Sequence, residues 1–291
     1  MFPINTKNLT INPQTHLILF HTEGEPYDKL DDLTSESLYI QSRAQHTFTS
    51  VKRYSPRVLS ANDSTWNETI QDRRDWMKNH PDFNEGLLWN EKWAALNFLL
   101  WKPRLILDEL LSEQISFGDI LFYHDANLLR YPDYKKGIEK WPIYIKRELR
   151  KFDILLFDDN HTDIREDTKH EVIDRYLGVI EQKLHHIWAG AIAVRKTYYS
   201  ISFIQEWLNM CLDINNISQI TKDSNYSDFF WHSVDQAVLS TLYHKWRNEN
   251  KTDNINCIFL NNTRIIPPPS SFLFGLKQYI NRKMKRINND S

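Results

Sequence analysis

Apolar residues recur along this chain in two spacings. Short continuous runs occupy Thr15 to Phe20, Ile120 to Tyr123, Phe152 to Phe157, Ile187 to Val194 and Asn256 to Leu260, with a β-prone stretch around Val51 and Tyr54 that Pro56 interrupts. Runs of this length without alternation suit strands covered on both faces. Between them, apolar positions three and four apart predict helices over Ser35 to Ala44, Arg104 to Leu111, Tyr134 to Lys151, Glu166 to Leu177 and Ser200 to Leu212, and another running through Val238, Leu239, Leu242 and Trp246. Pro103 suits a helix start and Gly178 a helix end. Strand and helix alternate, which predicts an α/β domain with a mainly parallel central sheet flanked by helices.

One run ends in chemistry. Gly118 and Asp119 form a turn, Ile120 to Tyr123 a buried strand, and His124, Asp125 and Asn127 a polar tip. Ligands of open α/β sheets bind outside the carboxyl ends of the strands. Asp125 and Asn127 are spaced to direct two oxygens at one hard cation such as Mn²⁺ or Mg²⁺. They equally suit a turn in which both cap backbone N–H groups. Asp158 and Asp159 end a second strand. Lys102 sits at a helix entrance, where the backbone favours anions. Ser233 and Gln236 have the spacing of a capping box, with Asp235 in the first turn; otherwise Asp235 projects a carboxylate into a cleft as a general base. Gly190, inside a predicted strand, marks a close approach.

Composition narrows the classes. The chain has 291 residues and a formal net charge of -2, which does not suit a general nucleic-acid binder. Its 10 Trp are expected mostly in the core, and some as stacking walls. Cys211 and Cys257 fit no zinc spacing and no disulfide framework. No glycine-rich phosphate loop occurs. Met1 to Thr10 holds no apolar run of signal-peptide length, so the expected location is cytoplasmic. Residues 267–291 form a Pro-rich linker and a basic tail, where Lys277, Arg282, Lys283, Lys285 and Arg286 alternate with apolar residues. That tail suits a solvated helix or a weak peripheral membrane contact. Residues 1–266 are expected to be a single domain.

The order of the pieces adds a resemblance. Trp101-Lys102-Pro103, then Leu105-Ile106-Leu107, then Gly118 to Ala126, then Trp188 to Thr197, then His232-Ser233-Val234-Asp235-Gln236 resembles a group of capsule- and surface-glycan glycosyltransferases, over about residues 87 to 245. The resemblance implies a GT-A, Rossmann-like fold that binds a nucleoside diphosphate sugar, with UDP the first candidate, and passes the sugar to a hydroxyl of a glycan or glycoprotein acceptor. It implies a divalent metal, Mn²⁺ favoured, at Asp125 and Asn127, where Asn127 replaces the second Asp of the group's Asp-X-Asp. Donor contacts are expected from Thr22, Lys102, Tyr123, His124, Asp125 and Asn127. Acceptor contacts are expected from Trp188, Trp231 and His232. Asp235 is the expected base of an inverting reaction; in a retaining one it lies beside the reacting sugar. Two other readings stand beside this one: a non-catalytic nucleotide-sugar or glycan-binding module on the same fold, and, more distantly, a glycoside hydrolase built on paired carboxylates.

Overall fold

The computed structural model describes residues 12–21, 34–55, 58, 75, 79, 101–126, 137–218, 229 and 232–259. Among these residues six strands form one sheet: β1 (Thr15–Phe20), β2 (Ser50–Tyr54), β3 (Ile120–Asp125), β4 (Ile154–Asp163), β5 (His185–Arg195) and β6 (Ile255–Phe259). Their order across the sheet is β2-β1-β3-β5-β4-β6. Only β5 runs antiparallel to its neighbours. The carboxyl ends of β1, β2, β3, β4 and β6 therefore share one edge, and the amino end of β5 joins them there. This is the α/β architecture with a mainly parallel sheet that the hydrophobic runs predict.

Helices cover both faces. One face carries α1 (Thr34–Ala44) and α3 (Trp141–Glu148), the latter entered through a 3₁₀ turn at Ile138–Lys140. Ile40, Trp141 and Ile145 pack there on Leu17, Leu19, Phe122 and Leu155. The other face carries α2 (Trp101–Leu111), α6 (Tyr198–Leu212) and α8 (Asp235–Asn248), where Leu105, Phe203, Trp207 and Val238 meet Ile18, Leu121, Tyr123 and Ile192. Three short helices complete the described set: α4 (Ile164–Asp167), α5 (His170–Leu177) and α7 (Ile214–Ile217). The Glu166 to Leu177 helix predicted from sequence is thus broken at Thr168 and Lys169. Trp101, Trp141, Trp207 and Trp246 are buried, so four of the described tryptophans serve the core.

Two features of this frame position the candidate site. First, the described part of α2 opens on Trp101, Lys102 and Pro103, so Lys102 is already helical. Glu109, further along α2, receives the Tyr54 hydroxyl and the Lys52 ammonium (2.8 and 2.9 Å), which fastens the helix to β2. Second, β5 outruns β3. Their ladder stops at the pair His124 and Ala191. Beyond it, the Ile187 and Ala189 N–H groups donate to Ser240 Oγ (2.8 Å) and Gln236 Oε1 (3.1 Å) of α8. Buried backbone donors need partners, and here α8 supplies them. Its amino end is thereby seated beyond the tip of β3.

The register of β5 against β4 shifts near Gly190, with Leu155 opposite Ala193 but Phe157 opposite Trp188. The Trp188 ring folds over Gly190, and a Cβ there would lie 2.2 Å from Trp188 Cζ2. The close approach expected at Gly190 is made by this indole. Gly190→Ala is expected to lower stability by about 1–3 kcal/mol, the cost typical of overpacking, read as a lower urea midpoint with an unchanged slope.

Candidate active site

Strand alternation fixes which residues of the β3 tip share a face. Leu121 and Tyr123 belong to the α2/α8 face, and Asp125 follows them there. Ile120, Phe122 and His124 point to the other face. Tyr123 is fully buried, and its hydroxyl donates to Asp125 Oδ1 at 2.5 Å while receiving the Trp101 indole N–H at 3.4 Å. The Trp101 ring in turn stacks on Phe20 at the end of β1, with centroids 4.4 Å apart. Burial, then the neighbouring Asp125 charge, pushes the Tyr123 phenol well above its ordinary pKa, so it stays protonated and remains a donor.

Lys102 closes the arrangement. Its Nζ lies 3.1 Å from Asp125 Oδ2 and 3.1 Å from Asp235 Oδ2. The approach to Asp235 Oδ2 is off-line for a hydrogen bond, so this contact is an ion pair at hydrogen-bond distance. The three side chains are 9%, 17% and 2% exposed for Lys102, Asp125 and Asp235, which leaves Asp125 the most open to an incoming ligand. Burial alone would push the Lys102 ammonium down; the two carboxylates more than reverse that and hold it above its usual range. Burial, with the Asp125 charge added, raises the Asp235 carboxyl to about 6 against the opposing pull of Lys102. A carboxylate poised near neutral pH suits proton abstraction.

Asp235 is held by its backbone and its neighbours. Val234 has φ 51° and ψ -113°, the first central position of a type II′ turn, which the Gln236 N–H closes onto Ser233 O at 3.1 Å. A β-branched residue there carries strain, which surrounding structure must over-determine. That structure is a chain of donors. Because the Ala189 N–H fixes Gln236 Oε1 as acceptor, Gln236 Nε2 donates to His186 Nδ1 (3.1 Å). His186 Nε2–H then donates to Ser233 Oγ (3.0 Å), whose hydroxyl donates to Asp167 O (3.0 Å). Trp207 Nε1–H also donates to Asp235 O at 3.1 Å. The capping box suggested by Ser233 and Gln236 therefore does not form. Val234 is the N-cap residue, and both polar side chains tie the helix start to β5 instead.

The structure thus brings together Lys102, Tyr123, Asp125 and Asp235, and separates other expected members. His124 faces the opposite side of the sheet, against Trp141 at a ring separation of 4.6 Å, and burial pushes its pKa down to about 3. It is a neutral core histidine on the far side of the sheet from Lys102, because neighbours along a strand face opposite ways. His232 is fully buried; its Nδ1 accepts the Lys169 N–H (3.3 Å) and its Nε2–H donates to Asn216 O (2.6 Å). That makes it a brace between α5 and α7, since both ring nitrogens are used inside the fold. Trp188 packs against Phe157 on the α1/α3 face, across the sheet from α8. Asp158 pairs with His185 at 3.1 Å and is not part of the Lys102 cluster. Thr22, Asn127, Trp231 and the basic tail lie outside the described residues. His186 is a member of the site's support that the sequence reading did not single out, and Trp101 is one it quoted only as part of a motif.

The donor set bears on a divalent metal. Among the described residues, no group of three or more His, Cys, Asp and Glu side chains could hold a metal ion. Asp125 has one oxygen on Tyr123 and the other on Lys102, and Lys102 also faces Asp235. A dication on these carboxylates would sit near a buried ammonium. As arranged, Asp125 is already engaged by Tyr123 and Lys102, which does not suit a metal on the described residues alone; Asn127, the other expected ligand, lies outside them.

Comparisons with known proteins add little beyond the fold. No family model and no curated protein matches the chain. Among solved structures, 4-diphosphocytidyl-2C-methyl-D-erythritol synthase from Anaerococcus prevotii is similar at 9% identity and a TM-score of 0.36, covering 85% of this chain and 89% of that one. A second structure of a 4-diphosphocytidyl-2C-methyl-D-erythritol synthase is similar at 10% identity and a TM-score of 0.36, covering 92% and 99%. Likeness at this level bears on neither activity nor substrate.

Proposed function

We propose that this chain is a GT-A-type glycosyltransferase that moves a sugar from a nucleoside diphosphate sugar, UDP-linked first among candidates, to a hydroxyl of a surface-glycan acceptor with inversion. The observation that supports this reading is the meeting of Lys102, Asp125 and Asp235 at the carboxyl edge of the parallel strands, from three segments far apart in sequence. That edge is where open α/β sheets take their ligands. In this reading the acceptor oxygen attacks the anomeric carbon as the bond to the diphosphate breaks. The bonding pair leaves with the diphosphate, and the acceptor proton passes to Asp235. Lys102 offsets charge on the leaving group. Asp125, the most open of the three, accepts hydrogen bonds from donor hydroxyls.

The test is a screen of UDP-, GDP- and CDP-linked sugars for release of free nucleoside diphosphate, with and without glycan acceptors. Turnover of one donor, lost by about 10²-fold or more in Asp125→Ala with the fold intact by circular dichroism, is the expected result. Binding without turnover across the panel would instead leave a nucleotide-sugar-binding module, and full activity in Asp125→Ala would remove this residue from the site.

A further inference from the structure

We infer that Lys102 is the resident cation of this centre, standing between Asp125 and Asp235 where a metal-dependent transferase would carry a divalent ion, so that nucleoside diphosphate binding here needs no metal. The inference rests on the glycosyltransferase reading above. Its first support is geometric: one ammonium lies 3.1 Å from an oxygen of each carboxylate, which is a bridging position. Its second is burial. Lys102 is drawn in from α2 and is 7% exposed, although lysine is seldom buried unless paired. Its third is the commitment of Asp125, whose other oxygen is taken by the Tyr123 hydroxyl at 2.5 Å.

An ammonium has three donors. Here it is ion-paired to both carboxylates, and in this reading one of its donors turns to a diphosphate oxygen. The arrangement also couples the two ends of the reaction. When Asp235 takes the acceptor's proton it loses its charge, and the ion pair with Lys102 weakens. The Lys102 charge is then free for the diphosphate in the same step in which that group departs with the bonding pair. A lysine acts here as a point charge, for which a phosphate group is an ordinary partner.

Two measurements test this. Calorimetry of UDP binding in excess EDTA and again in Mn²⁺ is expected to give affinities within about threefold of each other. Tightening by about tenfold or more in Mn²⁺ would overturn the inference and leave the nucleotide reading standing. Absence of UDP, GDP and CDP binding under both conditions would overturn the two together. Separately, electron paramagnetic resonance of Mn²⁺ alone is expected to show no tight site on the unmodified protein, whereas Lys102→Met, with two carboxylates freed, gains one and loses about tenfold in UDP affinity in EDTA. One tight Mn²⁺ per chain on the unmodified protein would contradict the inference, and that result does not depend on any variant folding.

Discussion

Asp235→Asn is expected to lower the rate of sugar transfer by about 10²–10⁴-fold, the usual worth of a positioned general base, without lowering stability at pH 7. The two halves of this result have different causes. In the proposed reaction the carboxylate takes the proton, and an amide of the same shape cannot replace it. Burial holds the Asp235 carboxyl up near 6. The contribution of a raised carboxyl is fully present below the unfolded value of 3.8 and is lost as pH rises through about 6. At pH 7 the charged form is therefore a burden, which the amide removes. Lys102 keeps its partner in Asp125, so the variant does not strand a buried charge. Initial rates with thermal melting of the same samples check both halves. On the same reading the unmodified protein should lose kcat/KM as pH falls through about 6. Retained transfer in Asp235→Asn would assign the base elsewhere.

Acid should unfold the protein between about pH 6 and 4. Burial pushes His124 and His232 down to about 3 and His244 to about 4, from an ordinary value of 6.5. For a histidine lowered in this way, stability is complete above 6.5 and is lost as pH falls, because the unfolded chain takes up the proton more readily. At pH 4.5 each of the three costs about 2–3 kcal/mol, and Asp235, which shifts oppositely, returns about 2 kcal/mol. The balance is a large part of a typical domain's stability. Urea midpoints from pH 7 to 4.5 should fall steeply, and His232→Gln should flatten the slope by about one proton. A flat profile down to pH 4.5 would show that these histidines are not held neutral in the folded state.

Most of the sheet was legible because its strands are uninterrupted apolar runs, and residues 120–123 are fully buried as such a run requires. The antiparallel direction of β5 was not, since an apolar run carries no direction. Its Gly190 marked a close approach but could not name Trp188 as the partner. In the candidate site, the ordered motifs pointed to Lys102, Asp125 and Asp235. Grouping His124 with Tyr123 ignored the alternation that the sequence itself contains. Ser233 and Gln236 read locally as a cap, whereas their partners His186 and Ala189 lie 47 residues away in sequence, a distance that local spacing cannot span. The position of Lys102 between two carboxylates was likewise invisible, because it depends on where α8 starts relative to the tip of β3.

The most direct test of the central claim is a crystal structure of the protein with UDP bound. The account expects the diphosphate at the carboxyl edge of β3, with an oxygen within about 3 Å of Lys102 Nζ, and Asp235 facing the side from which an acceptor would enter. UDP bound away from Lys102, with the Lys102–Asp125–Asp235 cluster undisturbed, would contradict it.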